Sequence, residues 1–307
     1  MNKISLISKF ESLPNNLKGA VVLTLAAGLF SASVLVIKML GQTIHVTQIL
    51  LCRQTVMTAM VLPAVLKGFP GILTTKTPWL QVLRIILAIG AMMFGFTAFI
   101  ELPLAESTAL GFAKSFFVSI FAIIILKEAV GPRRWAAVVA GFIGVIIMLQ
   151  PGTDSFSIYS IYAVAGAGCA GLVMVIIRLM SRTENPKTIL AWQAIGVGLI
   201  MIVPGIWFWV DPTPIQWGLI VVMGILSYGA QMLNILAYKF GEASLMASLD
   251  YVRLLYATVL GYMFFGDVPS GATWIGAAII VASAIYTVWR EAKRKQVLTR
   301  THEGRIL

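Results

Sequence analysis

The chain has 307 residues, 59% of them hydrophobic and only 11% charged, with a mean hydropathy of +0.92 and a formal net charge of +11. About a quarter of the residues of a soluble domain are charged, so this much apolar surface cannot be hidden in one soluble core. The basic balance alone would suit a nucleic-acid partner, but the Lys and Arg residues gather in links and at the C-terminus, where orientation in a bilayer requires them; no nucleic-acid partner is expected.

In chain order, residues 1–16 form a short polar leader with Lys3 and Lys9, and the first apolar run spans about 17–37. Ser31-Ala32-Ser33 resembles a signal-peptide cleavage site, but hydrophobicity continues past it to Ile37, which favours a retained helix. Further runs follow at about 46–66, 79–99, 104–126, 133–150, 158–179, 188–210, 215–237, 243–265 and 270–289. Most approach the roughly 20 residues that a helix needs to cross a hydrocarbon core of about 30 Å. A membrane-spanning backbone must satisfy its own hydrogen bonds, as helices or as a closed barrel. The runs do not alternate at period two, which excludes the barrel. The expected fold is therefore an all-α integral membrane protein of ten transmembrane helices, followed by a basic tail over 291–307.

Links 67–78, 127–134, 180–187 and 238–242, with both termini and the helix ends beside them, hold most of the Lys and Arg, whereas links 100–103, 151–157, 211–214 and 266–269 hold none. Positive charge stays inside, so both termini are expected to be cytoplasmic. Cys52 and Cys169 lie in apolar runs and read as buried free thiols; no metal site is expected.

The stretch from Pro103 to Gly152 is echoed from Gly241 to Arg290. Aligning Glu128 with Asp267 places Trp135 on Trp274 and Lys114 on Arg253, so a cation within an apolar run recurs. Five helices is an odd number, so two five-helix repeats, 1–152 and 153–290, must be inverted relative to each other. Inverted repeats build many secondary transporters, with the substrate at the repeat interface near the bilayer midplane.

The segments LPLAESTALGFAKSFFVSIFAIIILKE, RRWAAVVAGFIGVIIMLQPG and DYVRLLYATVLGYMFFGD, in this order and spacing, resemble the drug/metabolite transporter superfamily in its ten-helix EamA branch. The resemblance covers nearly the whole chain. It implies a multi-pass carrier of the bacterial inner membrane, built from two repeats around a central cavity. The chain is also similar, more loosely, to members labelled as S-adenosylmethionine or riboflavin carriers.

Lys114 lies roughly 12 residues from the nearer cytoplasmic end, about 18 Å at 1.5 Å per residue. That is too far to snorkel, so it must face a partner or a wet cavity. It reads as an anchor for an anionic group or as one partner of an ion pair, for example with Asp250. Arg253 has Asp250 one turn before it, a spacing that permits an in-helix pair. Two cations from related helices would make a site for a carboxylate or a phosphate, so the expected substrate is a small anion or a zwitterion such as an amino acid. A nucleoside-like or cofactor metabolite is the alternative.

Arg53, about two turns inside its run, either supplies a third positive group or reaches the interface. Tyr251 lines the cavity or packs. Gln193, Gln231 and Asn234 serve substrate contact or helix-to-helix hydrogen bonds. Arg84, one turn into the third run, is expected to snorkel to the surface. Glu128 and Asp267 are expected to fix the turns that follow them. Asp250, Glu106 and Glu242 are the candidates for proton coupling, a counter-substrate being the other possibility. Trp79, Trp135, Trp217 and Trp274 open their helices and read as interfacial anchors.

The stripe Gly111, Ser115, Ser119 and Ala122 reads as a close helix contact. Gly166-Ala167-Gly168-Cys169-Ala170-Gly171 matches GxGxxG literally, but it sits within an apolar run with no preceding strand, so it too reads as helix packing. The chain contains two histidines, in a link and in the tail, and neither HExxH nor paired carboxylates, which argues against a membrane-embedded enzyme. A channel would more often use rings of polar residues set by oligomer symmetry. No cofactor is expected, and the apolar surface suits a monomer or a homodimer in the bilayer.

Overall fold

A computed structural model describes residues 13–126, 132–153, 155–180, 183–184, 186–241, 246 and 249–286. Among them the fold is helical, with no strand. The helices are α1 (Asn15–Gly41), α2 (Val46–Gly68), α3 (Pro78–Glu101), α4 (Leu104–Gly111), α5 (Lys114–Leu126), α6 (Pro132–Leu149), α7 (Ile158–Met180), α8 (Pro186–Trp207), α9 (Pro214–Phe240), α10 (Val252–Phe265) and α11 (Gly271–Tyr286). Among the described residues five stretches are long and apolar enough to cross a membrane: Asn15–Gly41, Pro78–Glu101, Leu104–Ile125, Ile158–Met180 and Pro214–Phe240.

Local chemistry sets the helix starts. α9 begins with a capping box: Thr213 accepts from the Gln216 amide, the Gln216 side chain reaches back to Thr213, and Pro214 occupies the first turn, where its missing N–H costs nothing. Pro78 plays the same part in α3. α10 ends on Gly266 in the left-handed region (φ 66°), which glycine enters without a Cβ clash.

The expected single helix over 104–126 is broken. α4 ends at Gly111, Phe112 and Ala113 form a turn, and α5 starts on Lys114. The run expected over 243–265 is likewise interrupted, with a turn at Asp250 and Tyr251 before α10. In both places the bonds tighten to i→i+3: Ala113 N–H donates to Leu110 at 3.0 Å, and Arg253 N–H donates to Asp250 at 3.1 Å. Each break directly precedes a cation of the aligned pair.

The helices pack crosswise between the two halves of the chain. α1 lies along α9, α3 along α7, and α2 along α8, while α10 touches α1 and α4. One apolar core gathers Phe116, Val145, Met148 and Ile280, and a second gathers Ile37, Ile49, Ile85 and Met223. Outward faces carry Leu25, Leu66, Ile86, Ile124 and Val203, all exposed, which suits lipid and not water. Trp79, Trp135, Trp217 and Trp274 are also exposed.

The literal GxGxxG is a packing device, as expected. A Cβ on Gly166 would lie 3.0 Å from the Gly95 backbone of α3, and one on Gly171 would lie 2.8 Å from Phe117 and 3.2 Å from the Lys114 carbonyl. Gly111, the first residue of its stripe, behaves differently. Nothing lies within 4 Å of a Cβ built on Gly111, which opens into a cavity and makes no close helix contact.

Two polar ties hold the ends of the bundle. At one end the Glu184 carboxylate collects four bonds from the 75–77 link: Thr75 Oγ1 at 2.7 Å, Lys76 N–H at 2.6 Å, Thr77 N–H at 2.9 Å and Thr77 Oγ1 at 3.0 Å. At the other end Lys38 pairs with Asp267. Lys38 lies inside α1 and is buried. Asp267 does more than fix its own turn, because it also accepts from the Leu104 N–H at 3.4 Å. Glu128 lies outside the described residues.

Candidate functional site

Two cavities lie between the halves of the chain, and several of the expected site residues divide between them. The smaller, of about 190 Å³, is bounded by α1, α3, α4, α7 and the starts of α5 and α10. Lys114, Asp250 and Arg253 all face it. The α4–α5 break delivers Lys114, and the turn at 250–251 delivers both Asp250 and Arg253.

Arg253 Nε stands 2.7 Å from Asp250 Oδ1, an ion pair by distance although the two atoms are not aligned as a hydrogen bond. The Arg253 guanidinium also lies over the Phe30 ring of α1 at 4.4 Å, a cation–π contact. Lys114 lies in the field of both partners. It has no hydrogen-bond or ion-pair partner among the described residues. The cavity thus carries two cations and one carboxylate. Such a set can take a carboxylate on Lys114 and Arg253 and an ammonium on Asp250.

The larger cavity, of about 350 Å³, lies between α2, α3, α8 and α9. That reaches the range of small-molecule sites, roughly 300–1,000 Å³, whereas the smaller cavity falls below it. Its polar lining is Arg53, Gln54, Gln193, Gln231 and Tyr228, and its walls include Met57, Met60, Met92 and Met232. Arg53 Nε donates to Ser227 Oγ at 3.0 Å, and its guanidinium lies 5.5 Å from the Phe96 ring. Arg53 therefore points inward and does not reach for the interface.

The remaining expectations fare unequally. Tyr251 packs edge-on against Phe112 at 4.6 Å. Asn234 faces neither cavity. Glu106 accepts from Ser160 Oγ at 3.0 Å, which ties α4 to α7. Glu242 lies outside the described residues.

The expectation for Arg84 is overturned. It is 0% exposed, donating to Gln193 Oε1 at 2.6 Å, to the Ile189 carbonyl at 2.6 Å and to Gln81 Oε1 at 3.3 Å. α8 covers it and supplies these acceptors, so it has no need of the surface. Gln54 is a site residue the sequence reading missed. The signal was present in two adjacent polar residues, Arg53 and Gln54, inside an otherwise apolar run.

The EamA-like transporter family model matches twice, at residues 17–150 and 157–289. A riboflavin transporter of Rhizobium johnstonii is 30% identical over 226 residues, 72% of this chain and 74% of its own. An S-adenosylmethionine uptake transporter of Rickettsia prowazekii is 27% identical over 273 residues, 87% of this chain and 90% of its own. A pseudopaline exporter of Pseudomonas aeruginosa is 25% identical over 272 residues, 87% of this chain and 94% of its own. One solved crystal structure shares the fold with a TM-score of 0.60 at 21% identity, covering 92% of this chain and 99% of the other.

Proposed function

The chain belongs to the EamA-like transporter family, and on that premise we propose that it is a secondary transporter of a nucleoside-like or cofactor-type metabolite. It works by alternating access in the bacterial inner membrane, with both termini cytoplasmic. The two halves act as inverted five-helix repeats that rock about a central site. The crosswise packing supports this reading: an inverted repeat turns the α1–α9 contact into the α7–α3 contact, and both pairs are prominent.

The observation that carries the reading is the small cavity holding Lys114, Asp250 and Arg253, a charged set enclosed by both halves deep in apolar helices. Intramembrane charges are costly, and they mark substrate or ion pathways. The three groups suit the zwitterionic end of a metabolite such as S-adenosylmethionine, the substrate named for one relative. A plain anion is the weaker reading, because Asp250 already neutralises Arg253 and the relatives' names point to larger, cofactor-type molecules. Asp250 and Glu106 are the described acids at which a coupling proton would reside.

Uptake into proteoliposomes tests this. Saturable uptake and counterflow of S-adenosylmethionine or riboflavin by the wild type, lost in Lys114→Ala, is the expected result. Transport of simple amino acids or carboxylates alone would overturn the substrate class, and full transport by the variant would remove Lys114 from the mechanism.

A further inference from the structure

The larger cavity has an unusual polar lining whose polarity is set from behind. Arg84 has only N–H donors, so the Gln193 atom that it meets at 2.6 Å must be the carbonyl oxygen. The Gln193 amide is thereby turned so that its NH2 is left for the cavity. Gln54 is held the opposite way. Its Nε2 donates to the Ala194 carbonyl at 3.0 Å, an acceptor only, which leaves the Gln54 carbonyl oxygen for the cavity.

Gln54 of α2 is tied to the residue that follows Gln193 of α8, so a fixed donor from α8 and a fixed acceptor from α2 line the same cavity. Arg53 completes the set. Its Nε is engaged by Ser227, while its terminal nitrogens have no protein partner among the described residues. Around these groups the walls are thioethers, Met57, Met92 and Met232 among them.

We propose that this cavity recognises a planar heteroaromatic ring presenting a hydrogen-bond acceptor next to a donor, as adenine and isoalloxazine do. The inference rests on the carrier reading above and assigns the ring of a cofactor-type substrate to a place distinct from its charged end. The chemistry follows from three properties. The Gln193 NH2 and the Gln54 carbonyl together offer one donor and one acceptor, the complement of the acceptor and donor on a base edge such as adenine N7 and N6. A guanidinium plane stacks on a π-face. Methionine sulfur makes favourable contacts with aromatic rings and adapts to their outline. A volume of about 350 Å³ admits a fused ring system. Arg84 is then a positioning residue: it touches no ligand and fixes which end of Gln193 faces one.

The test is isothermal titration of the purified full-length protein with adenosine, with riboflavin and with free methionine, the last a probe without an aromatic ring. Four proteins are compared: wild type, Gln193→Ala, Gln193→Glu and Lys114→Ala. Gln193→Glu keeps a partner for Arg84, so folding is preserved, but it replaces the donor by an acceptor. At least one ring compound should bind the wild type, and both Gln193 variants should weaken it by roughly tenfold, the worth of one lost hydrogen bond. Methionine binding should be unchanged in the Gln193 variants, and ring binding should persist in Lys114→Ala. Adenosine and riboflavin distinguish a nucleobase from a flavin ring. Equal ring binding by wild type and Gln193→Glu overturns the assignment, as does absence of ring binding by the wild type. Ring binding lost only in Lys114→Ala places the ring in the charged cavity and overturns it equally. Failure of the carrier reading looks different: ring binding that depends on Gln193, with no uptake by any form of the protein.

Discussion

Lys38 and Asp267, 229 residues apart, meet at 3.0 Å within the bundle. Lys38 also donates to the Leu102 carbonyl at 2.7 Å and lies 4.7 Å from the centre of the Phe265 ring. One ion pair therefore joins α1, the α3–α4 link and the link after α10. Removing one partner leaves a largely buried charge alone, which costs more than removing both. Lys38→Met and Asp267→Asn should each lower stability by about 2 kcal/mol or more, and the double variant should lose less than the sum. Chemical unfolding of the four forms in detergent checks this; strict additivity would mean that the pair carries no coupling.

Glu184 predicts a pH dependence at the opposite end. Burial pushes its carboxyl up, but the four hydrogen bonds from Thr75, Lys76 and Thr77 outweigh that and hold it below the ordinary carboxylate range. A folded-state value below the unfolded one, near 4.3, contributes stability that is fully present above the unfolded value. That contribution fades as pH falls through the depressed value. The melting temperature of the wild type should therefore fall on acidification below about pH 4 more steeply than that of Glu184→Gln. At neutral pH the variant should be less stable by roughly 1–3 kcal/mol, since charge-assisted bonds are lost.

Asp250 sets the sign of the charged cavity. With Asp250→Asn, Arg253 and Lys114 face the cavity with no carboxylate between them. Simple carboxylates should then bind more tightly, while zwitterions lose about tenfold through the missing ammonium partner. Calorimetry with acetate and with methionine measures both; unchanged selectivity would mean that Asp250 does not face the ligand.

Two glycines near Lys114 should respond oppositely. Gly171→Val drives a side chain into Phe117 and the Lys114 carbonyl, so it should destabilise by about 1–3 kcal/mol and disturb transport. Gly111→Ala meets nothing within 4 Å and should keep the fold, since the added methyl only narrows the cavity. Thermal unfolding of both, with uptake assays, separates the two effects.

Several features were readable in residue order. Lys114 and Arg253 stood out because each is a charge in a long apolar run, and the structure brings them to one cavity. The pairing of Arg253 with Asp250 followed from their spacing of one turn. Arg84 was misread because its distance from the helix start matched that of a snorkelling residue; nothing local reveals that α8 covers it. The helix breaks before Lys114 and before Val252 were hidden as well, since neither contains proline and the apolar run continues on both sides of each.

A helical membrane protein with deep cations is legible in the sequence alone, because run length and the scarcity of charge are properties of the order of residues. That Lys38 meets Asp267, and that Gln193 turns its donor inward, was decided by tertiary packing. Ion pairs and hydrogen bonds act over a few ångströms, and helix rotation and crossing, which residue order leaves open, decide which groups come that close. Gln193 shows the difference: its residue type is plain in the sequence, but only Arg84, 109 residues away in the chain, settles which end of its amide a ligand would meet.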